Sequence, residues 1–187
     1  MPPVTLTTPR LLLRPWQPAD LVPFAVLNAD PQVMAHMPQC LDRAASDALA
    51  QRLQSLIEAQ GWGVWAVALR ESGSLIGMVG LHRTALDLPC APCVELTWHL
   101  AAAHWHQGYA TEAARAALEF GLTVLNLPEV VAFTAVVNQP SQAVMVRLNM
   151  QPDPAPFAHP ALPVGHALRS HVLYRMTAAA PQIVKAA

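Results

Sequence analysis

The chain has 187 residues, of which 53% are hydrophobic and 12% charged, and its formal net charge is -1. That length fits one domain with a sizeable core, and that composition excludes a disordered chain. Ten of the eleven basic residues are arginines scattered without a run, which argues against a nucleic-acid surface. No apolar run approaches the ~20 residues that span a bilayer. Met1-Pro2-Pro3-Val4 lacks the basic and then apolar start of a signal peptide, so a cytoplasmic protein without a membrane partner is expected.

In chain order, Leu11 to Arg14 reads as a short strand. Pro18-Ala19-Asp20 starts a helix that runs to about Asn28 and breaks at Asp30-Pro31. Asp42 or Ser46 caps a second helix, whose apolar positions Ala45, Leu49, Leu53, Leu56 and Ile57 recur at helical spacing. Gly61 stops it. Trp62–Leu69 and Leu75–Leu81 are strands joined by a hairpin turn at Glu71-Ser72-Gly73-Ser74. Arg83 to Pro89 is a loop, and the apolar run Val94–Leu100 is a third strand. Alternation puts Val94, Leu96, Trp98 and Leu100 on one of its faces and Glu95, Thr97 and His99 on the other.

Next comes Trp105-His106-Gln107-Gly108-Tyr109-Ala110-Thr111-Glu112, which opens an alanine-rich helix from Tyr109 to about Leu125. Val130–Val137 is a buried strand ended by Asn138-Gln139-Pro140-Ser141, and a short helix follows to Leu148. The proline-dense stretch from Gln151 to Pro163 excludes regular helix or central strand and is expected to be an ordered loop or lid. His171–Met176 is a last strand, and a frayed tail is expected from Ala178. Three consecutive strands suggest antiparallel pairing, and the strand–helix–strand unit suggests a parallel pair, so a mixed α/β sheet follows.

A strand, a turn with one glycine and a helix start together make a phosphate site. The first-turn N–H groups have no partner inside the helix and carry partial positive charge. Gly108 lets a pyrophosphate approach the backbone closely. The N–H groups from Gln107 through Gly108, Tyr109 and Ala110 to Thr111 are therefore the candidate donors.

Glu95 is the candidate base. A carboxylate on a central strand is costly unless solvated or paired, which suits a cleft. The alternative is a structural partner for an arginine such as Arg83. His82, at the end of the preceding strand, is a second candidate base. Asn138 could cap the next helix, with Pro140 in its first turn, and Ser141 could be an ordinary first-turn serine. Glu112 reads as compensation of the helix dipole. His104 and His106 have no third ligand at recognisable spacing, so no metal is expected. Cys90-Ala91-Pro92-Cys93 has redox-motif spacing but precedes a strand where such a motif opens a helix, which favours loop or buried thiols.

The glycine loop and the asparagine-to-serine block together resemble the GNAT superfamily of acyl-CoA-dependent N-acetyltransferases, with the likeness closest to the Rim-type branch. The resemblance extends to Thr8–Arg14 as an opening strand, Asp20–Met34 as a first helix, and Arg147-Leu148-Asn149-Met150 as a closing motif with asparagine in place of glycine. Trp105 departs from the usual arginine or glutamine of the loop.

The resemblance implies one GNAT domain over 1–187: a mixed, mostly antiparallel sheet with a splayed parallel strand pair and about four flanking helices. It implies acetyl-CoA as cosubstrate and a primary amine as acceptor, a protein N-terminus or a small molecule, in a monomer or homodimer. The pantetheine arm would lie along Trp98, His99 and Leu100. Asn138 would meet its amides, and Ser141 would hydrogen-bond the departing sulfur. Many members carry a tyrosine acid where this chain has Met145, so a non-catalytic acyl-CoA-binding module is the alternative.

Overall fold

The computed structural model describes residues 2–84 and 86–178. Among the described residues the strands are β1 (Leu6–Thr7), β2 (Leu11–Arg14), β3 (Val64–Leu69), β4 (Leu75–Arg83), β5 (Val94–Leu100), β6 (Glu129–Ala135), β7 (Gln151–Pro152), β8 (Phe157–Ala158) and β9 (Ser170–Thr177). The α-helices are α1 (Leu21–Ala29), α2 (Arg43–Gln60), α3 (Tyr109–Thr123) and α4 (Gln139–Arg147), and a 3-10 turn at Pro18–Asp20 leads into α1. The strands form one mixed sheet in the order β1-β2-β3-β4-β5-β6-β9-β7, with β8 also on β9. Every pairing is antiparallel except β5 with β6.

Local chemistry explains the boundaries. Asp42 caps α2 by accepting from the Ala45 N–H at 2.8 Å, and Gly61 ends the helix at φ 88°. A buried ion pair fixes the entry to α1: Arg14 grips Asp20 through two hydrogen bonds of 2.7 and 2.8 Å, and Asp20 also accepts from the Gln17 N–H. Helix α3 packs across β4 and β5, with Gly121 against Leu81 and Val130, and Phe120 edge-on to Trp65. Leu81 pairs with Leu96, so this is the face of β5 that carries Val94, Leu96, Trp98 and Leu100. On the opposite face the His99 imidazole reaches the Val33 carbonyl just beyond α1. The alternation read from the sequence is therefore the one that separates the two sides of the sheet.

Three differences from the sequence reading stand out. The N-terminal strand is a hairpin, because Leu6 and Thr7 pair with Leu13 and Leu12. The β6 strand stops at Ala135, where Val136 and Val137 turn into α4. The proline-dense stretch is a strap that twice borrows an edge of β9, through Gln151–Pro152 and Phe157–Ala158. Two-residue ladders are what a segment can form when prolines remove its donors. Of the tail expected to fray from Ala178, Ala178 itself donates to Pro128 O at 2.9 Å, and residues 179–187 lie outside the described residues.

Candidate active site

The parallel pair β5/β6 is joined at one position only, Glu95 against Val131, although β5 continues to Leu100 and β6 to Ala135. Past that point the strands diverge and their facing main-chain edges are not laddered to each other. Buried N–H and C=O groups are almost always paired, so an unladdered edge in the middle of a sheet marks a place for another extended chain. All site features below lie around this gap.

At its wide end, Gly108 caps α3 at φ 81°, a conformation that disfavours any residue with a side chain, and a Cβ there would meet nothing nearer than Arg10 Nη2 at 3.4 Å. The first turn of α3 begins with Glu112 N–H to Gly108 O. Among the described residues the N–H groups of Gln107, Gly108, Tyr109, Ala110 and Thr111 have no acceptor. Neighbouring side chains hold this nest. Arg10 donates to Gln107 O at 2.9 Å, stacks over the Tyr109 ring at 4.4 Å, and binds Glu112 at 2.6 Å. Glu112 also accepts from Thr8 Oγ1 and from the Arg10 N–H. Burial pushes its carboxyl up, but these hydrogen bonds and the arginine charge outweigh burial and hold it below its ordinary 4.5. Glu112 thus does more than offset a helix dipole: it straps the β1/β2 hairpin to the first turn of α3. Trp105 donates to Leu100 O at 2.8 Å and fixes the turn between β5 and α3.

At the narrow end, Glu95 and His82 pair across β4 and β5, with Nε2 to Oε2 at 3.1 Å. The sequence weighed these two as separate candidates; register makes them one dyad. Arg83, the alternative partner for Glu95, lies over the Trp62 ring. Burial pulls His82 down, yet the hydrogen bond and charge of Glu95, with the backbone at Arg83, win and raise it above 6.5. Beside the dyad, on the same face, Phe133 sits against Phe157, His159 and His171 at ring-centroid distances of 6.0, 5.9 and 6.1 Å. His159 and His171 are both lowered by burial, and the Glu95 charge reaches His159. The strap thus contributes Phe157 and His159 to one wall beside the gap.

Across the gap, Asn138 caps α4: its side-chain oxygen accepts from the Ser141 N–H at 3.3 Å, and its amide donates to Thr134 Oγ1 at 2.8 Å. Ser141 Oγ accepts from Trp98 Nε1 at 3.1 Å. Met145 is buried core.

A family model described as an acetyltransferase (GNAT) domain matches residues 10–151. The chain belongs to the GNAT acetyltransferases. The Bacillus subtilis protein named uncharacterized N-acetyltransferase YnaD is 27% identical over 146 residues, covering 78% of this chain and 82% of its own. The crystal structure of an acetyltransferase from Agrobacterium tumefaciens shares 28% identity at TM-score 0.75, with 94% of this chain and 95% of that one covered. Mycobacterium smegmatis RimJ in complex with CoA-disulfide shares the fold at TM-score 0.72 and 20% identity, over 94% of this chain and 88% of that one.

As a GNAT enzyme the chain transfers an acetyl group from acetyl-CoA to an amine, and a purely binding role is not favoured. Acetyl-CoA is the cosubstrate that the nest and the gap fit. The unpartnered N–H groups of 107–111 suit its diphosphate, and the unladdered edge of β5 suits its pantetheine amides. Among the described residues no helix is long and apolar enough to cross a membrane. The Cys93 thiol, half-buried and beside Cys90 at 2.7 Å, is pushed up to about 12, first by burial, and holds no thiolate at neutral pH.

The sequence missed the Arg10–Glu112 strap, the aromatic wall and the Trp98–Ser141 bond, all of which are distant in the chain. The strap carries a pH-dependent prediction. A carboxyl held low in the folded state stabilises it above its unfolded value, and that stabilisation disappears as pH falls through the folded value. At pH 7, E112Q should unfold about 1–3 kcal/mol more easily than wild type in denaturant, the loss expected for charged hydrogen bonds. The gap should close below pH 4.5. A gap of the same size at low pH would show that Glu112 acts without its charge.

Proposed function

We propose that the enzyme is a Rim-type N-acetyltransferase whose acceptor is the free N-terminal amine of a peptide or protein. The observation that carries this reading is the Glu95–His82 dyad at the narrow end of the strand gap, beside a wall of two phenyl and two uncharged imidazole rings. An α-amine titrates near ~7.7–8.0, within reach of a modest base, whereas a lysine amine near ~10.4 asks more. An apolar, aromatic wall suits the first side chains of a peptide better than it suits a polycation, which would look for a dense set of carboxylates. Arg175, gripped by Asp153 and Glu129, further limits free negative charge on this side.

The chemistry follows in order. The diphosphate rests on the N–H groups of Gln107, Gly108, Tyr109, Ala110 and Thr111. The pantetheine runs along the edge of β5 from Leu100, whose carbonyl already serves Trp105, past His99 to Trp98, and Asn138 meets it from α4. The neutral amine attacks the thioester carbonyl carbon, a C–N bond forms and negative charge builds on the oxygen, where a strand N–H can stabilise it. The C–S bond then breaks. Ser141 hydrogen-bonds the departing sulfur, and the dyad accepts the proton that the new amide nitrogen sheds. Holding both reactants in one gap supplies the orientation that a bimolecular encounter lacks.

The direct test offers acetyl-CoA with a panel of peptides, the same peptides blocked at the N-terminus, and polyamines, while thiol release is followed. Turnover on free peptide ends alone supports the reading; turnover on polyamines alone assigns a small-molecule acceptor. In wild type the rate should rise with pH as His82 loses its proton, at a value above 6.5. E95Q removes the charge that helps hold His82 up, so the inflection should move to lower pH and the rate should fall roughly 100-fold. An unmoved profile would remove the dyad from the proton transfer. S141A should slow acetyl transfer roughly 10- to 100-fold, the worth of a hydrogen bond to developing charge, and leave acetyl-CoA affinity nearly intact. Equal rates would remove Ser141 from the mechanism.

A further inference from the structure

Trp98 and Ser141 are 43 positions apart and lie on opposite sides of the strand gap. An indole nitrogen donates and never accepts, so in this 3.1 Å contact the serine oxygen must be the acceptor. The Ser141 proton is then committed elsewhere or free. Two hydroxyls on helices of this chain spend theirs on the preceding turn, Ser55 donating to Gln51 O at 3.0 Å and Thr123 to Glu119 O at 2.7 Å, whereas Ser46 accepts from Asn28 Nδ2 at 2.9 Å. Ser141 makes no such donation. Its own N–H goes to Asn138 Oδ1, and among the described residues its hydroxyl proton has no acceptor.

We infer that Trp98 is a positioning residue for the acetyl transfer. Its N–H occupies one lone pair of Ser141 Oγ and so turns the serine proton toward the gap, where the thiolate departs. Two further features favour this role over plain packing. The indole extends from the edge strand of the gap to the first turn of α4, so it ties the two walls together at Ser141. Its ring also packs on the core below, which fixes the donor before any ligand arrives. A serine hydroxyl is otherwise a free rotor with three staggered wells, and holding it in one is orientation of the kind that speeds bound reactants. The indole can also polarise the hydroxyl through the same bond, since linked hydrogen bonds strengthen one another. The inference rests on the reading that Ser141 serves the departing sulfur.

The test is a double-variant cycle on the full chain, read as the single-turnover rate of acetyl transfer from acetyl-CoA to an acceptor peptide, with acetyl-CoA affinity measured in parallel. W98F keeps a ring in place and deletes the N–H. Alone it should slow transfer roughly 3- to 10-fold, the worth of one neutral hydrogen bond, with acetyl-CoA affinity unchanged. In the S141A background it should slow transfer no further, because its only route to the sulfur has gone. An equal loss in both backgrounds would mean that Trp98 acts through packing, and no loss in wild type would mean that the contact is idle; either overturns the inference while leaving Ser141 in place. A silent S141A overturns the reading of Ser141 and the inference with it. If W98F does not fold, a benzothienyl analogue placed at position 98 keeps the indole shape and removes the N–H, and the same cycle is run with it.

Discussion

Strands in the interior of a sheet normally satisfy each other, one N–H to one C=O, and a protein that leaves such groups facing a gap carries a debt of several hydrogen bonds. Here the debt is incurred between β5 and β6, which touch at Glu95 and Val131 and then part. The edge exposed by the parting is a ready template for an extended chain with amides of its own, and the pantetheine of acetyl-CoA is such a chain. The opening also decides where everything else stands. The unpartnered N–H groups of residues 107–111 lie past the end of β5, the dyad at the point where the strands still meet, and Ser141 on the far wall.

The surrounding structure keeps the gap open. On the side of β5, Trp105 closes the turn at Leu100, and the strap from Arg10 and Thr8 to Glu112 holds the first turn of α3. On the side of β6, the full ladder with β9 fixes the strand, and Asn138 holds the start of α4. Trp98 spans the two sides. Each of these contacts satisfies polar groups on the two walls beside the gap.

Much of this was legible in the chain. Helical spacing and the marks at Asp42 and Gly61 locate α2; alternation from Val94 to Leu100 assigns the faces of β5; Gly108 followed by an alanine-rich run locates the start of α3. These are local rules, acting within a turn or a strand. The remainder depends on which distant residues meet. His82 and Glu95 form a dyad only once the register of β4 and β5 is set, and the intervening loop hides that register. Glu112 looked like a dipole partner because its other partners, Thr8 and Arg10, lie more than a hundred residues earlier. Phe133, Phe157, His159 and His171 come from β6, the strap and β9, and no spacing rule joins them. The strap itself was read as loop because prolines forbid long ladders, yet two-residue ladders on β9 suffice to hold it.

The most direct measurement is a crystal structure with coenzyme A bound. The account predicts its diphosphate on the N–H groups of residues 107–111, its pantetheine laddered to the unpaired edge of β5, and its sulfur within hydrogen-bond distance of Ser141 Oγ. A coenzyme seated elsewhere, with β5 and β6 closed on each other past Glu95, would contradict it.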